Sequence, residues 1–145
     1  MSKTLEFRNV ELLPVGNFLS GLKLKGKASR GRSKFIKLLA KKNDEYIDDR
    51  DETRKPYFIK DKSGKLVDKN GKYQYKDPSK DKELTDELNN LGEEKAVIEF
   101  TEYSQKLQTL YLALSNYEGE FSDQEAVLYD LVMDQLEINF EKEGK

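Results

Sequence analysis

Between Gly21 and Lys42 the chain reads GLKLKGKASRGRSKFIKLLAKK: nine Lys or Arg and no Asp or Glu, in a protein whose 26 basic and 28 acidic residues give a net charge of −2. Two chemistries suit such a segment. In the first, Arg30, Arg32, Lys34 and Lys37 contact nucleic-acid phosphates, with a helix from Val15 to Lys23, a turn at Gly26 and a second helix from Ser29 imitating a helix-turn-helix. In the second, the cations are the wet or protein-facing side of a core helix. Phe35, Ile36, Leu38 and Leu39 are committed to burial, lysine is a good helix former, and a pI near 5.4 weakens steering toward DNA. The second reading is the one favoured here, with nucleic-acid binding as its alternative.

The remaining polar clusters carry less. Asp44, Asp48 and Asp51 share a helical face at i, i+4, i+7 and could bridge a hard cation, but no Gly-containing calcium loop accompanies them, and a solvated acidic face is expected. Asp61-Lys62-Ser63-Gly64-Lys65 is echoed seven residues later by Asp68-Lys69-Asn70-Gly71-Lys72. A calcium loop needs a further oxygen where Lys65 and Lys72 stand, so both are read as turns. The glycines of GKASRGRSK lack the spacing of a phosphate-binding loop. Four aromatics, Tyr57, Phe58, Tyr73 and Tyr75, flank the two turns among lysines, and such rings anchor protein interfaces or stack on bases; a protein contact is expected.

The composition excludes much chemistry. There is no Cys and no His, which removes thiol nucleophiles, disulfides, imidazole ligands and His-based triads together. Acidic residues are abundant, but carboxylate pairs mean nothing without a cleft to hold them. Neither an enzyme nor a cofactor or metal site is expected. No apolar run reaches the roughly 20 residues of a membrane span, and MSKTLEFRNVELL lacks a signal-peptide core, so a cytoplasmic protein without membrane contact is expected. With 36% hydrophobic and 37% charged residues the core is thin, which fits a small helical or α+β protein with much exposed helix surface, or one that completes its burial against a partner.

The elements that must position these groups follow from periodicity. Leu5 and Phe7, then Val10 and Leu12, alternate as a short strand or two fragments. Pro14 suits a first helical turn, with Val15, Phe18, Leu19 and Leu22 on one face and an end near Gly26. Ser29 reads as the cap of a second helix that carries Phe35, Leu38, Leu39 and Tyr46 to about residue 54, where Pro56 stops it. Asn70-Gly71 marks a hairpin, and Ser63-Gly64 is a weaker copy. Leu84, Leu88 and Leu91 form a helix closed by Gly92. AVIEF is a strand candidate, and Tyr103, Leu107, Leu110, Tyr111, Leu114 and Tyr117 form a helical stripe. Ser122 and Glu125 make a capping box for the last helix. Leu5-Glu6-Phe7, Ile98-Glu99-Phe100 and Ile138-Asn139-Phe140 share one form, and some of them should pair in a small sheet. The nine acidic residues after Asn116 should attract the basic segment.

The stretch FLSGLKLKGKASRGRSKFIKLLAKK (18–42), an acidic helix after it, a Gly-containing hairpin and the closing FSDQEAVLYDLVMDQLE (121–137) together resemble a family of small phage and prophage proteins of Gram-positive bacteria, numbered 1617 among the domains of unknown function. The resemblance implies a phage origin, action in the host cytoplasm or association with the virion, and a late-gene role near tail and lysis functions. It implies no activity and no catalytic residues. The expectation is therefore an α+β, mainly helical single domain, 1–145, with a β-hairpin insertion at about 56–78. It would act on a protein partner, in virion or tail assembly or by inhibiting a host factor, through Arg30, Arg32, Lys34, Lys37, Tyr57, Phe58, Tyr73 and Tyr75. The oligomeric state is left open.

Overall fold

The structure, a computed structural model, describes residues 3–141. In chain order its elements are β1 (Thr4–Arg8), α1 (Leu12–Ser20), α2 (Gly26–Arg54), β2 (Asp68–Lys69), β3 (Lys72–Tyr73), α3 (Asp81–Glu93), β4 (Lys95–Glu99), α4 (Ser104–Ser115) and α5 (Asp123–Phe140), joined in places by 3-10 turns. This is a mainly helical α+β protein with two antiparallel two-stranded sheets. The described residues fall into two compact units, one up to Asn43 and from Lys95 onward, the other Asp44–Glu94. α2 runs through the boundary.

In the first unit, alternation makes the sheet. Leu5 and Phe7 of β1 are buried while Glu6 and Arg8 are exposed, and β4 buries Ala96 and Ile98 in the same way. The strands pair with Leu5 opposite Ile98 and Phe7 opposite Ala96, so the apolar side chains share one face. Phe35 of α2 packs on that face, its ring 6.2 Å from that of Phe7, and Leu39 is buried in the same core. Leu107, Leu110 and Leu114 of α4 and Val132 and Leu136 of α5 are also buried in this core.

The last helix begins as its sequence indicates. Ser122 Oγ accepts from the Glu125 amide at 3.3 Å, and Glu125 Oε1 accepts from the Ser122 amide at 3.0 Å. Ile138-Asn139-Phe140, expected as a possible strand, is instead the final turn of α5, where Asn139 Nδ2 donates to the Thr4 carbonyl at 2.8 Å. Ser29 is not a cap either. α2 starts three residues earlier at Gly26, whose φ of +53° suits glycine and turns the chain out of the preceding loop.

In the second unit the chain 58–60 is flanked on both sides. The Ile59 amide donates to the Gln74 carbonyl at 2.8 Å, and the Ile59 carbonyl accepts from Val67 at 2.9 Å. Bridges join Phe58 to Tyr75 and Lys60 to Leu66. Asn70 and Gly71, at φ of 57° and 79°, form the tight turn between β2 and β3, the two positive values of a type I′ hairpin. Gly92 does not close α3 as a left-handed cap. It is buried within the last turn, and the helix continues to Glu93. Among the described residues no helix is long and apolar enough to cross a membrane.

Candidate functional site

The first unit carries the basic segment. Ala28, Gly31, Phe35 and Leu39 of α2 are buried. Their inward side leaves Lys27, Arg30, Lys34, Lys37 and Lys41 at i, i+3, i+7, i+10 and i+14, a straight row on one flank about 21 Å long at 1.5 Å per residue. Lys23 and Lys25 extend it into the loop before the helix.

The four cations singled out in the sequence do not have one environment. Arg32 turns back along the chain, donating through Nη1 to the Leu22 carbonyl and through Nη2 to Ser29 Oγ at 3.1 Å. It thereby ties the α1–α2 loop to the first turns of α2. Lys34 is half-buried with Nζ 4.8 Å from the centre of the Tyr103 ring, a cation–π contact. Arg30 is exposed and lines a shallow cleft of about 340 Å³ with Lys27, Glu102, Gln105, Lys106 and Thr109. Lys37 is exposed. Arg30 and Lys37 therefore belong to the accessible row, together with Lys23, Lys25, Lys27 and Lys41.

The expected attraction to the acidic C-terminal segment takes no form of direct ion pairing among the described residues. None of Lys23, Lys25, Lys27, Arg30, Lys37 and Lys41 has a carboxylate within salt-bridge distance there. α5 instead holds its place through apolar packing and through Tyr129, whose hydroxyl donates to the Leu114 carbonyl at 2.6 Å.

The second unit carries the aromatic hairpin. Phe58 is buried, with its ring 4.7 Å from Tyr75 and 5.6 Å from Tyr73. The Tyr57 hydroxyl donates to Glu83 Oε2 at 2.9 Å, and the Tyr75 hydroxyl donates to Asp81 Oδ1, so both rings are fastened to α3. Burial first, then the Glu83 and Glu87 carboxylates, push the Tyr57 phenol well above the usual tyrosine range. For Tyr75 the Asp81 hydrogen bond is the first cause of a rise. Of the four aromatics only Tyr73 is exposed, at 46%. Asp61 accepts from the Ser63 hydroxyl and from the Ser63 and Lys65 amides, which holds its carboxyl low and makes it a turn residue. Among the described residues no cluster of carboxylates could hold a metal ion, and Asp44, Asp48 and Asp51 are a solvated face.

The family model described as Protein of unknown function (DUF1617) matches residues 3–144. The chain belongs to that family. No curated protein and no solved structure matches it.

Sequence reasoning missed one residue that positions the cationic row of this DUF1617 chain. A Cβ on Gly31 would lie 2.3 Å from the Lys106 carbonyl oxygen and 3.1 Å from Leu110 Cβ, so α2 and α4 meet backbone to backbone at that point. The close approach places Arg30 and Lys27 beside Lys106. Its only trace in the sequence is a glycine inside an otherwise good helix, where glycine is unfavourable by roughly 1 kcal/mol against alanine.

Proposed function

We propose that this chain is a non-enzymatic phage or prophage protein that works by docking on an acidic surface of a protein partner, in virion or tail assembly or as an inhibitor of a host factor. The observation that carries the reading is the row of exposed cations on α2 with no carboxylate partner among the described residues. Rigid, unneutralised charge on a helix is suited to electrostatic steering and complementary docking. The absence of Cys and His from the sequence supports a binding role. The phage origin rests on the resemblance of residues 18–42 and 121–137, and implies the host cytoplasm or the virion as the place of action.

Nucleic acid is the competing ligand for the same row. Three features favour protein: Arg32 and Lys34 are engaged within the fold, Glu102 lies in the cleft beside Arg30, and the whole chain has a pI near 5.4. Titration with arbitrary duplex DNA separates the two. A grip on six or more phosphates loses about 10³ or more in affinity between 50 and 200 mM salt. The proposal expects weak binding already at 50 mM. A submicromolar, steeply salt-dependent complex, lost when Lys27, Arg30, Lys37 and Lys41 are changed to Glu, would put nucleic acid first.

A further inference from the structure

The sheet of β1 and β4 has two outer edges, and they differ. On the β1 side α5 closes the edge: Gln135 Oε1 accepts from the Glu6 amide at 2.8 Å, and Asn139 Nδ2 donates to the Thr4 carbonyl at 2.8 Å. These bonds fix which main-chain groups point outward. In an antiparallel pair, residues opposite one another alternate between those that exchange N–H···O bonds and those whose groups point away from each other. Thr4 and Glu6 direct theirs at α5, so their partners Glu99 and Val97 direct theirs off the opposite edge, and Lys95, opposite Arg8, does the same. Among the described residues the outward amides and carbonyls of Lys95, Val97 and Glu99 have no main-chain partner. All three residues are exposed, Val97 at 45%. An open edge with an apolar residue at its centre is a template for a further strand.

The side chains on this edge select the strand. Read in the opposite direction, Lys-Val-Glu is complementary to itself. We propose that a second copy of this chain docks antiparallel along β4, with a two-fold axis at Val97, to give a continuous four-stranded sheet. Val97 then meets Val97 of the second copy, while Lys95, whose exposed and long pair with Glu6 Oε2 at 3.7 Å gives way, faces its Glu99 and Glu99 its Lys95. All three pairs are of the type that exchanges both N–H···O bonds, because all three residues present their main-chain groups on the same edge. The two Val97 side chains cover each other, and two opposite-charge pairs flank them on the solvent face of the sheet. Glu99 Oε1 already accepts from the Thr101 amide at 2.9 Å, which holds the carboxylate in place. A strand from an unrelated protein would satisfy the same backbone, but the charge order favours the protein's own copy. The isologous geometry is the common one for homodimers.

The test uses the absence of cysteine from the chain. Val97→Cys places one thiol per chain on the axis, where paired Cα atoms about 5.5 Å apart are within disulfide reach. Mild oxidation should convert the protein to a species of twice its 16.8 kDa, whereas Val127→Cys, exposed on α5, should not. In sedimentation across a concentration series, Lys95→Glu should lower the association constant by about tenfold through two like-charge pairs. Adding Glu99→Lys to that variant should restore it. Dichroism confirms that each variant keeps its helix content. A monomer at every concentration, equal cross-linking of the two cysteine variants, or a double exchange that fails to restore association would each overturn the proposal.

Discussion

Gly31 is the residue on which the geometry of the cationic row turns. Because a side chain there would meet backbone of α4, Gly31→Leu should destabilise the first unit by about 1–3 kcal/mol, the usual range for overpacking. Gly16 in α1 is the matched control, with no atom within 4 Å of a built Cβ. Gly16→Ala should leave stability unchanged or raise it by up to about 1 kcal/mol through helix propensity. Denaturant titration of both variants checks the pair. Tyr57 gives a second residue-scale expectation. Its phenol is raised in the folded protein, so the protonated form is favoured there; the contribution to stability is full below the ordinary tyrosine value of about 10 and is lost as pH rises through the higher folded value. The second unit should therefore loosen in alkali, and Tyr57→Phe should remove that part of the pH dependence. Thermal melts between pH 8 and 11, followed for both proteins, measure the difference.

At the scale of elements the hairpin divides into a core and a surface. Phe58 is buried between Tyr73 and Tyr75, so Phe58→Ala should destabilise the second unit by about 3–5 kcal/mol, while Tyr73→Ser should change its stability by less than about 1 kcal/mol. Hydrogen exchange of the amides of Ile59 and Val67 reads this directly, since their bonds hold the hairpin together. The hairpin was legible from Asn70-Gly71 because both turn residues must take positive φ. The partition of its aromatics was not, since it depends on Glu83 and Asp81 of α3, which no local pattern connects to Tyr57 and Tyr75. The strands LEF and IEF were found by alternation, yet INF has the same form and is helical. The capping box at Ser122 commits that stretch to a helix, and a three-residue pattern cannot outweigh eighteen residues of helical period. Ser29 has the side chain of a cap, whereas the start at Gly26 depends on a positive φ that the residue pattern does not display.

Over the whole molecule, charge is the property that the sequence displayed most openly and explained least. The acid-free run 21–42 was evident, and its cations were expected to find the acidic C-terminal segment. Among the described residues Lys23, Lys25, Lys27, Arg30, Lys37 and Lys41 form no ion pair with it and stay exposed, while Arg32 and Lys34 turn inward. Which cations belong to the row follows from the burial of Ala28, Gly31, Phe35 and Leu39, and that requires the packing of α4 as well as the period of α2. The measurement that tests the docking role most directly is capture from phage-infected host lysate with and without nuclease. The wild-type chain is compared with a variant carrying Lys27→Glu, Arg30→Glu, Lys37→Glu and Lys41→Glu, whose melting temperature is shown to be close to wild type. The account predicts a protein partner that is retained after nuclease treatment, binds the purified wild-type chain directly, weakens with salt and is lost with the variant. Capture that disappears with nuclease, or a partner that binds the variant as well as the wild type, would contradict it.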